Sequence, residues 1–315
     1  MKQVGVVGTG RMGSDMATLL AAYGFHVTIL GISEGECEKG RNNIEENLNE
    51  LSNNNIIDNS TAQRCMQLIA FTQDYRSLAD LDFVFEAVVE RIDIKHSVYL
   101  QLEAVCSERT IIISITSGIT AYKLAESIVH KERLIVAHAW NPPHLIPLVE
   151  VVGSEHTAPD TVKRTLELLE TLDRKVVVLK RDIPGFIGNR IMHAMYREAL
   201  YLVEIGVASP AEIDLTVLYS FGQRFASVGL LEYYDSCDLN LQFDVQSYLL
   251  AELCDAKGPQ KPLVDCCLRG DYGPKTGNGI YDWSKKDLDE FRLRKNKPFF
   301  QYVTWRRGDY GGNEQ

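Results

Sequence analysis

Two apolar rhythms alternate along the first part of this chain. Short, nearly continuous apolar runs occur at QVGVV (3–7), HVTIL (26–30), LDFVFEAV (81–88), TIIIS (110–114), LIVAHAW (134–140), PLVEVV (147–152) and KVVVLK (175–180). Strands buried on both faces of a parallel sheet read this way. Between them, apolar residues recur at helical spacing, as in IDIKHSVYLQLEAV (92–105) and DTVKRTLELLETL (160–172). Residues 34–68 interrupt the alternation with IEENLNEL and TAQRCMQLI around a polar, turn-rich link, and are expected to be an inserted helical pair. Asp58-Asn59-Ser60 offers caps for its second arm. Beyond Pro184-Gly185-Phe186 only helical spacing remains, beginning with FIGNRIMHAMYREALYLVEIG, and Ser209-Pro210-Ala211-Glu212 reads as a capping box with proline at the first helical position. The pattern predicts an α/β domain over 1–183, an all-α domain over 184–285 and a C-terminal extension over 286–315. The extension is expected to hold one more helix and a frayed, glycine-containing tail.

The first strand runs into Gly8-Thr9-Gly10-Arg11-Met12-Gly13 and then into a helical pattern. Glycine permits the tight turn at 8, close approach of a pyrophosphate at 10 and close helix packing at 13, while the helix N-terminus attracts the phosphates. In that strand–turn–helix frame the motif points to a Rossmann-type, dinucleotide-binding domain, with Arg11 and Met12 also at the loop. One element is missing. The second strand should end in an acid for the adenosine ribose, and here Gly31 stands there, with Glu34 and Glu36 just beyond. No arginine follows before Arg41, so NAD is expected rather than NADP. Glu90 and Lys95 lie just past the end of the third long strand and are further candidates for the cofactor ribose. Thr116 and Ser117 place hydroxyls at the next strand exit.

His138 and Glu150 sit on two apolar runs joined by Asn141-Pro142-Pro143-His144. Proline cannot continue either element, so the chain reverses and can bring the two side chains together. A strand-end histidine alone is an ordinary core residue. A glutamate inside an apolar strand, however, needs a partner, because an unpaired buried carboxylate is costly. A histidine held by a carboxylate moves a proton near neutral pH.

The formal net charge is −10, with 33 Lys+Arg against 43 Asp+Glu. It argues against nucleic acid, and no basic stripe offsets it. No apolar run approaches the roughly 20 residues that span a bilayer, and the N-terminus lacks the apolar core of a signal peptide. Seven cysteines, with no CxxC, suit reduced thiols in a cytoplasmic protein. No metal site is expected.

From residue 2 to about 285 the chain resembles the 3-hydroxyacyl-CoA dehydrogenase family. The motifs that carry the likeness are GxGxMG (8–13), EAVVERIDIK (86–95), SxTSG (114–118), HxxNP (138–142), PLVEV (147–151), PGFxxNR (184–190) and KTGxGxYDW (275–283). The resemblance implies that His138 takes the substrate hydroxyl proton as hydride leaves for the nicotinamide, and that Glu150 orients His138. It implies that Ser117 and Asn189 hold the reacting oxygens, that Asn141 supports the turn, and that Gly8, Gly10, Gly13, Glu90 and Lys95 belong to the NAD site, with Ser117 and Asn141 also counted among the cofactor-binding residues. It also implies a homodimer through the helical domain. The expected reaction is oxidation of a short L-3-hydroxyacyl-CoA. Three positions depart from the family: Gly31, Ile115 and Gly118. In addition, the arm around 40–65 is acidic and neutral, a poor surface for anionic CoA. HAWNPPHLIPLVEV is similar to the branch that oxidises free 3-hydroxy acids, the L-gulonate and L-carnitine dehydrogenases, which is the alternative expectation. The 3-hydroxyisobutyrate type would need a lysine that GFIGNRIMHAMYREAL does not contain. A non-catalytic NAD-binding or crystallin-like protein is the reading of another class, opposed by the presence of Ser117, His138, Glu150 and Asn189.

Overall fold

A computed structural model describes residues 3–310. The elements of the first part are β1 (Gln3–Val7), α1 (Arg11–Ala22), β2 (His26–Leu30), α2 (Glu34–Asn53), α3 (Asn59–Gln67), β3 (Ile69–Thr72), β4 (Phe83–Glu86), α4 (Ile92–Val105), β5 (Ile111–Ser114), α5 (Ala121–Leu124), β6 (Leu134–Ala139), β7 (Leu148–Val152), α6 (Pro159–Thr171) and β8 (Lys175–Val178). The strands form one eight-stranded sheet in the order β3-β2-β1-β4-β5-β6-β7-β8. β7 runs antiparallel to β6, and β8 runs parallel to β7. The order steps outward in both directions from β1 and β4, which puts a ligand crevice at the carboxyl ends of those strands.

Successive residues of the inner strands go to opposite faces, as the period of two demands. Ile111 and Ile113 of β5 join a core with Met16, Leu20, Ile44 and Leu48 from α1 and α2. Ile112 joins a second core with Tyr99 and Leu102 of α4. Both faces are therefore covered, and the runs are apolar throughout for that reason.

The helical pair forms as expected, with Ser33 capping α2 and Asp58 capping α3. The expectation that helix continues through Ile69 needs correction. Leu68 ends α3, and Ile69–Thr72 pairs with β2 as the sheet's edge strand. Four residues continuous with a helical pattern carry too little periodicity of their own to announce a strand.

The chain divides into two compact units, residues 1–189 with 295–315, and residues 190–294. The long helix α7 (Gly188–Glu204) starts two residues after Phe186, whose backbone has φ 49°. α8 (Pro210–Leu218) carries the complete Ser209/Glu212 capping box. It is followed by α9 (Phe221–Arg224), α10 (Leu230–Asp235), α11 (Leu239–Leu249) and α12 (Lys261–Arg269). LNLQFDVQSYLLAELC is thus helical only to Leu249. Within the second unit, Glu198 accepts from the Cys254 N–H at 2.8 Å and Glu204 from the Lys261 N–H at 3.1 Å, so two acids of α7 fasten the segment before α12. The final helix, α13 (Leu288–Tyr310), contains Pro298. Phe300 is buried and Phe299 packs beside it against the core of the first unit. The expected frayed tail, 311–315, lies outside the described residues. Among the described residues no helix is long and apolar enough to cross a membrane.

Candidate active site

The glycine loop leaves β1 at its carboxyl end. The Gly8 N–H donates to Leu30 O at 2.9 Å, and the Ala87 N–H to Val7 O at 2.9 Å, so the ends of β2 and β4 hold the turn on both sides. Gly8 has φ 109°, and a Cβ there would lie 2.7 Å from the Ala87 carbonyl oxygen. A Cβ at Gly13 would overlap the Gly8 carbonyl oxygen. Both positions therefore require glycine. At Gly10 a Cβ would meet no atom within 4 Å: the backbone there borders open space. Gly10 is also the N-cap of α1 and supplies no side-chain cap, so the first N–H groups of α1 stay available to an anion. A dinucleotide pyrophosphate fits these residues.

Two residues of the motif do other work. Met12 packs against the core. Arg11 turns to α2, bonding Asn47 Oδ1 at 3.1 Å and pairing with Asp15 at 3.3 Å and Glu46 at 3.8 Å. It ties α1 to the inserted pair, and its charge is already matched by two carboxylates.

Lys95 is 1% exposed and does not reach a ligand surface. Its Nζ lies 2.7 Å from Glu86 Oε1 and 3.3 Å from Glu90 Oε2. Glu86, at the end of β4, also accepts from Tyr99 OH at 2.6 Å, Ser114 Oγ at 2.7 Å and the Val88 N–H at 2.9 Å. Burial, and then the Glu86 charge, push the Tyr99 phenol well above its usual value. This buried knot holds Glu90, which accepts from the Thr116 hydroxyl and, at 3.1 Å, from the Ser117 N–H. Lys95 thus lies behind Glu90, buried between two carboxylates, and its own side chain is not exposed as a ribose ligand would be.

The register of the antiparallel pair puts His138 directly opposite Glu150. Cross-strand partners point to one face, and His138 Nδ1 lies 3.0 Å from Glu150 Oε2 with both residues buried. The same carboxylate accepts from Trp140 Nε1 at 3.3 Å, the Ile187 N–H at 2.8 Å and the Gly188 N–H at 3.0 Å. Burial raises the Glu150 carboxyl, but the Gly188 N–H, His138 and the Ile187 N–H outweigh it, and the group titrates below its usual 4.5. Its charge sits at the N-terminus of α7, where a helix favours an anion. Rings of Trp140 and Phe186 flank His138, at 5.7 and 5.4 Å between centroids.

The start of α7 joins this dyad to the remaining candidates. Next to Gly188, Asn189 Nδ2 donates to the Ser117 carbonyl at 2.8 Å. Ser117 is exposed, as is Asn141 at the cis Asn141–Pro142 bond. Ser117, His138, Glu150 and Asn189 therefore belong to one connected network. Sequence reasoning missed Trp140, Glu86 and the two backbone N–H groups at 187–188. An indole two residues beyond a strand histidine was the only available signal for the first.

A glycine cradle for a dinucleotide and a buried histidine–carboxylate dyad on the same sheet define an NAD-dependent dehydrogenase of hydroxy-acid type. Comparison with known proteins agrees. Residues 3–183 match the model of the 3-hydroxyacyl-CoA dehydrogenase NAD-binding domain, and residues 185–283 that of its C-terminal domain. The chain belongs to the 3-hydroxyacyl-CoA dehydrogenase family. It is 32% identical over 299 residues to 5-formyl-3-hydroxy-2-methylpyridine 4-carboxylate 5-dehydrogenase of Mesorhizobium japonicum, covering 94% of this chain and 96% of that protein. It is 34% identical over 232 residues to L-carnitine dehydrogenase of Oceanobacillus iheyensis, covering 73% and 74%. A crystal structure of a 5-formyl-3-hydroxy-2-methylpyridine 4-carboxylic acid 5-dehydrogenase, described as an NAD+-dependent dismutase, superposes with a TM-score of 0.88, 30% identity and full coverage of both chains.

Proposed function

We propose that this protein oxidises the hydroxyl of a free L-3-hydroxy acid with NAD, His138 acting as general base. The observation that carries the reading is the saturated Glu150 carboxylate. Four donors fix it, and one of them is His138 Nδ1. That contact places the proton on Nδ1 and leaves Nε2 with a lone pair to accept the substrate proton. Glu150 stays ionised and stabilises the imidazolium that forms. Ser117 and Asn189, linked to each other, hold the reacting oxygens. A bound nicotinamide supplies the hydride acceptor. Gly8, Gly10 and Gly13 seat the pyrophosphate, and Glu90 borders the cofactor with Lys95 behind it.

A free carboxylate, rather than the thioester first expected, is favoured by two observations. The related enzymes named above act on free acids. Moreover, α2, α3 and the Asp58 cap present Glu34, Glu36, Glu38, Glu45, Glu46, Glu50 and Asp58 against Lys39, Arg41 and Arg64, a surface that repels the phosphates of CoA. The thioester remains the second reading, favoured by the family's own description and by the closing Lys275–Trp283 segment. Consumption of NADH with acetoacetate and with acetoacetyl-CoA separates the two. Turnover with the thioester alone contradicts the free-acid reading.

The reading includes a cytoplasmic homodimer assembled through the helical unit. That unit exposes Leu218, Tyr219, Leu239 and Phe243 at 60–78% of their surface, apolar area that a symmetric partner would cover. A monomer by light scattering contradicts the dimer.

A further inference from the structure

The acid that ordinarily ends β2 and holds the adenosine ribose is absent, and the packing at Gly31 explains why. Gly31 is buried, its N–H donates to Thr72 O at 3.0 Å, and a Cβ on it would lie 2.8 Å from Cys37 Sγ and 3.0 Å from Thr9 Cγ2. The first turn of α2 and the glycine loop close the position to any side chain.

That same turn carries two glutamates, and the structure separates them. Glu34 Oε2 accepts from Gln73 Nε2 at 3.2 Å, beyond the end of β3. Glu36 points the other way: its Oε2 accepts from Thr9 Oγ1 at 3.5 Å, and Thr9 stands between Gly8 and Gly10. The backbone of Glu36 is fixed, since its N–H donates to the capping Ser33 Oγ at 3.3 Å. Glu36 is thus an exposed carboxylate anchored in the angle between the glycine loop and the end of β2. The nearby cations are engaged elsewhere: Arg11 with Asp15 and Asn47, and Arg41 over the Phe71 ring at 4.7 Å.

We infer that Glu36 takes the place of the missing strand-end acid, accepting hydrogen bonds from the adenosine ribose of NAD and repelling the 2′-phosphate of NADP. A carboxylate can accept from two vicinal hydroxyls at once. A phosphate monoester at the same point brings about two more negative charges against it. The inference rests on the NAD-dependent reading of the site.

The test is titration of protein fluorescence with NADH and with NADPH, on the wild type, Glu36→Gln and Glu34→Gln. The wild type is expected to bind NADH more tightly than NADPH. In Glu36→Gln, NADH affinity falls by about tenfold, the worth of one charge-assisted hydrogen bond, and the preference over NADPH shrinks by at least that factor. Glu34→Gln keeps the wild-type preference. An unchanged NADH/NADPH ratio in Glu36→Gln, with tight NADH binding retained, overturns the inference and leaves the cofactor assignment standing. Failure of the wild type to bind NADH overturns both.

Discussion

Replacing Glu150 with glutamine is the most exacting perturbation of this site, because the carboxylate faces donors only. His138 Nδ1 and Trp140 Nε1 meet one oxygen, and the N–H groups of Ile187 and Gly188 meet the other. An amide has one accepting end. Whichever way it turns, its NH2 is pressed against two donors. With NH2 toward the backbone pair, two buried N–H groups at the start of α7 lose a charged acceptor, about 1.5–3 kcal/mol each. With NH2 toward His138, the ring must turn Nδ1 into an acceptor, the proton moves to Nε2, and the base is blocked. Removing one partner of a buried pair costs about 3–5 kcal/mol, and losing general-base catalysis costs about 10²–10⁴ in turnover. Glu150→Gln is therefore expected to lose about 3–5 kcal/mol in urea unfolding and at least about a hundredfold in kcat, while NADH binding, seated at the glycine loop, stays intact. The pH dependence follows from the lowered Glu150 pKa. A carboxylate that titrates lower in the folded state contributes stability that is fully present above its unfolded pKa and is lost as pH falls through its folded one. The wild type should begin to lose that contribution as pH falls below about 4.5, the usual value of the group, and the glutamine variant should lack this component. Wild-type turnover and stability in Glu150→Gln would refute the reasoning.

Four donors rather than three hold Glu150, so Trp140→Phe, which keeps the ring and removes the N–H, should lower turnover less than Glu150→Gln. It should also move the acidic limb of the kcat/KM profile to higher pH, and an unmoved limb would show that the indole only fills space. Lys95→Met leaves the buried Glu86 without its cation and should cost about 3–5 kcal/mol in urea unfolding. Gly13→Ala drives a Cβ into the Gly8 carbonyl oxygen and should abolish NADH binding, measured by fluorescence titration, in a protein that still folds.

Much of this architecture was legible because it is local. The glycine loop declares itself by spacing within one strand–turn–helix. The His138–Glu150 pair declares itself because a proline turn leaves two strands no choice but to run back, and a carboxylate in an apolar strand demands a partner. What was not legible depends on residues far apart in the chain. A Cβ on Gly188 would overlap Trp140 Cζ2, yet nothing near Gly188 reveals that an indole lies against it. Lys95 looks like a helix-start cation until β4 brings Glu86 within 2.7 Å. The missing acid at Gly31 looked like a defect in the cofactor site. Only the packing of Cys37 and Thr9 against it shows how little room a side chain would have there. The edge strand β3 escaped notice because its four residues have a single pairing partner, β2, and no alternation of their own.

His138 is the residue on which the proposed chemistry most directly depends. NADH production from the substrate that proves active should be measured for His138→Ala beside the wild type, with NADH affinity and thermal unfolding followed on the same samples. Turnover is expected to fall by about 10²–10⁴ while the cofactor still binds and the fold persists. Turnover equal to that of the wild type would contradict the proposed chemistry.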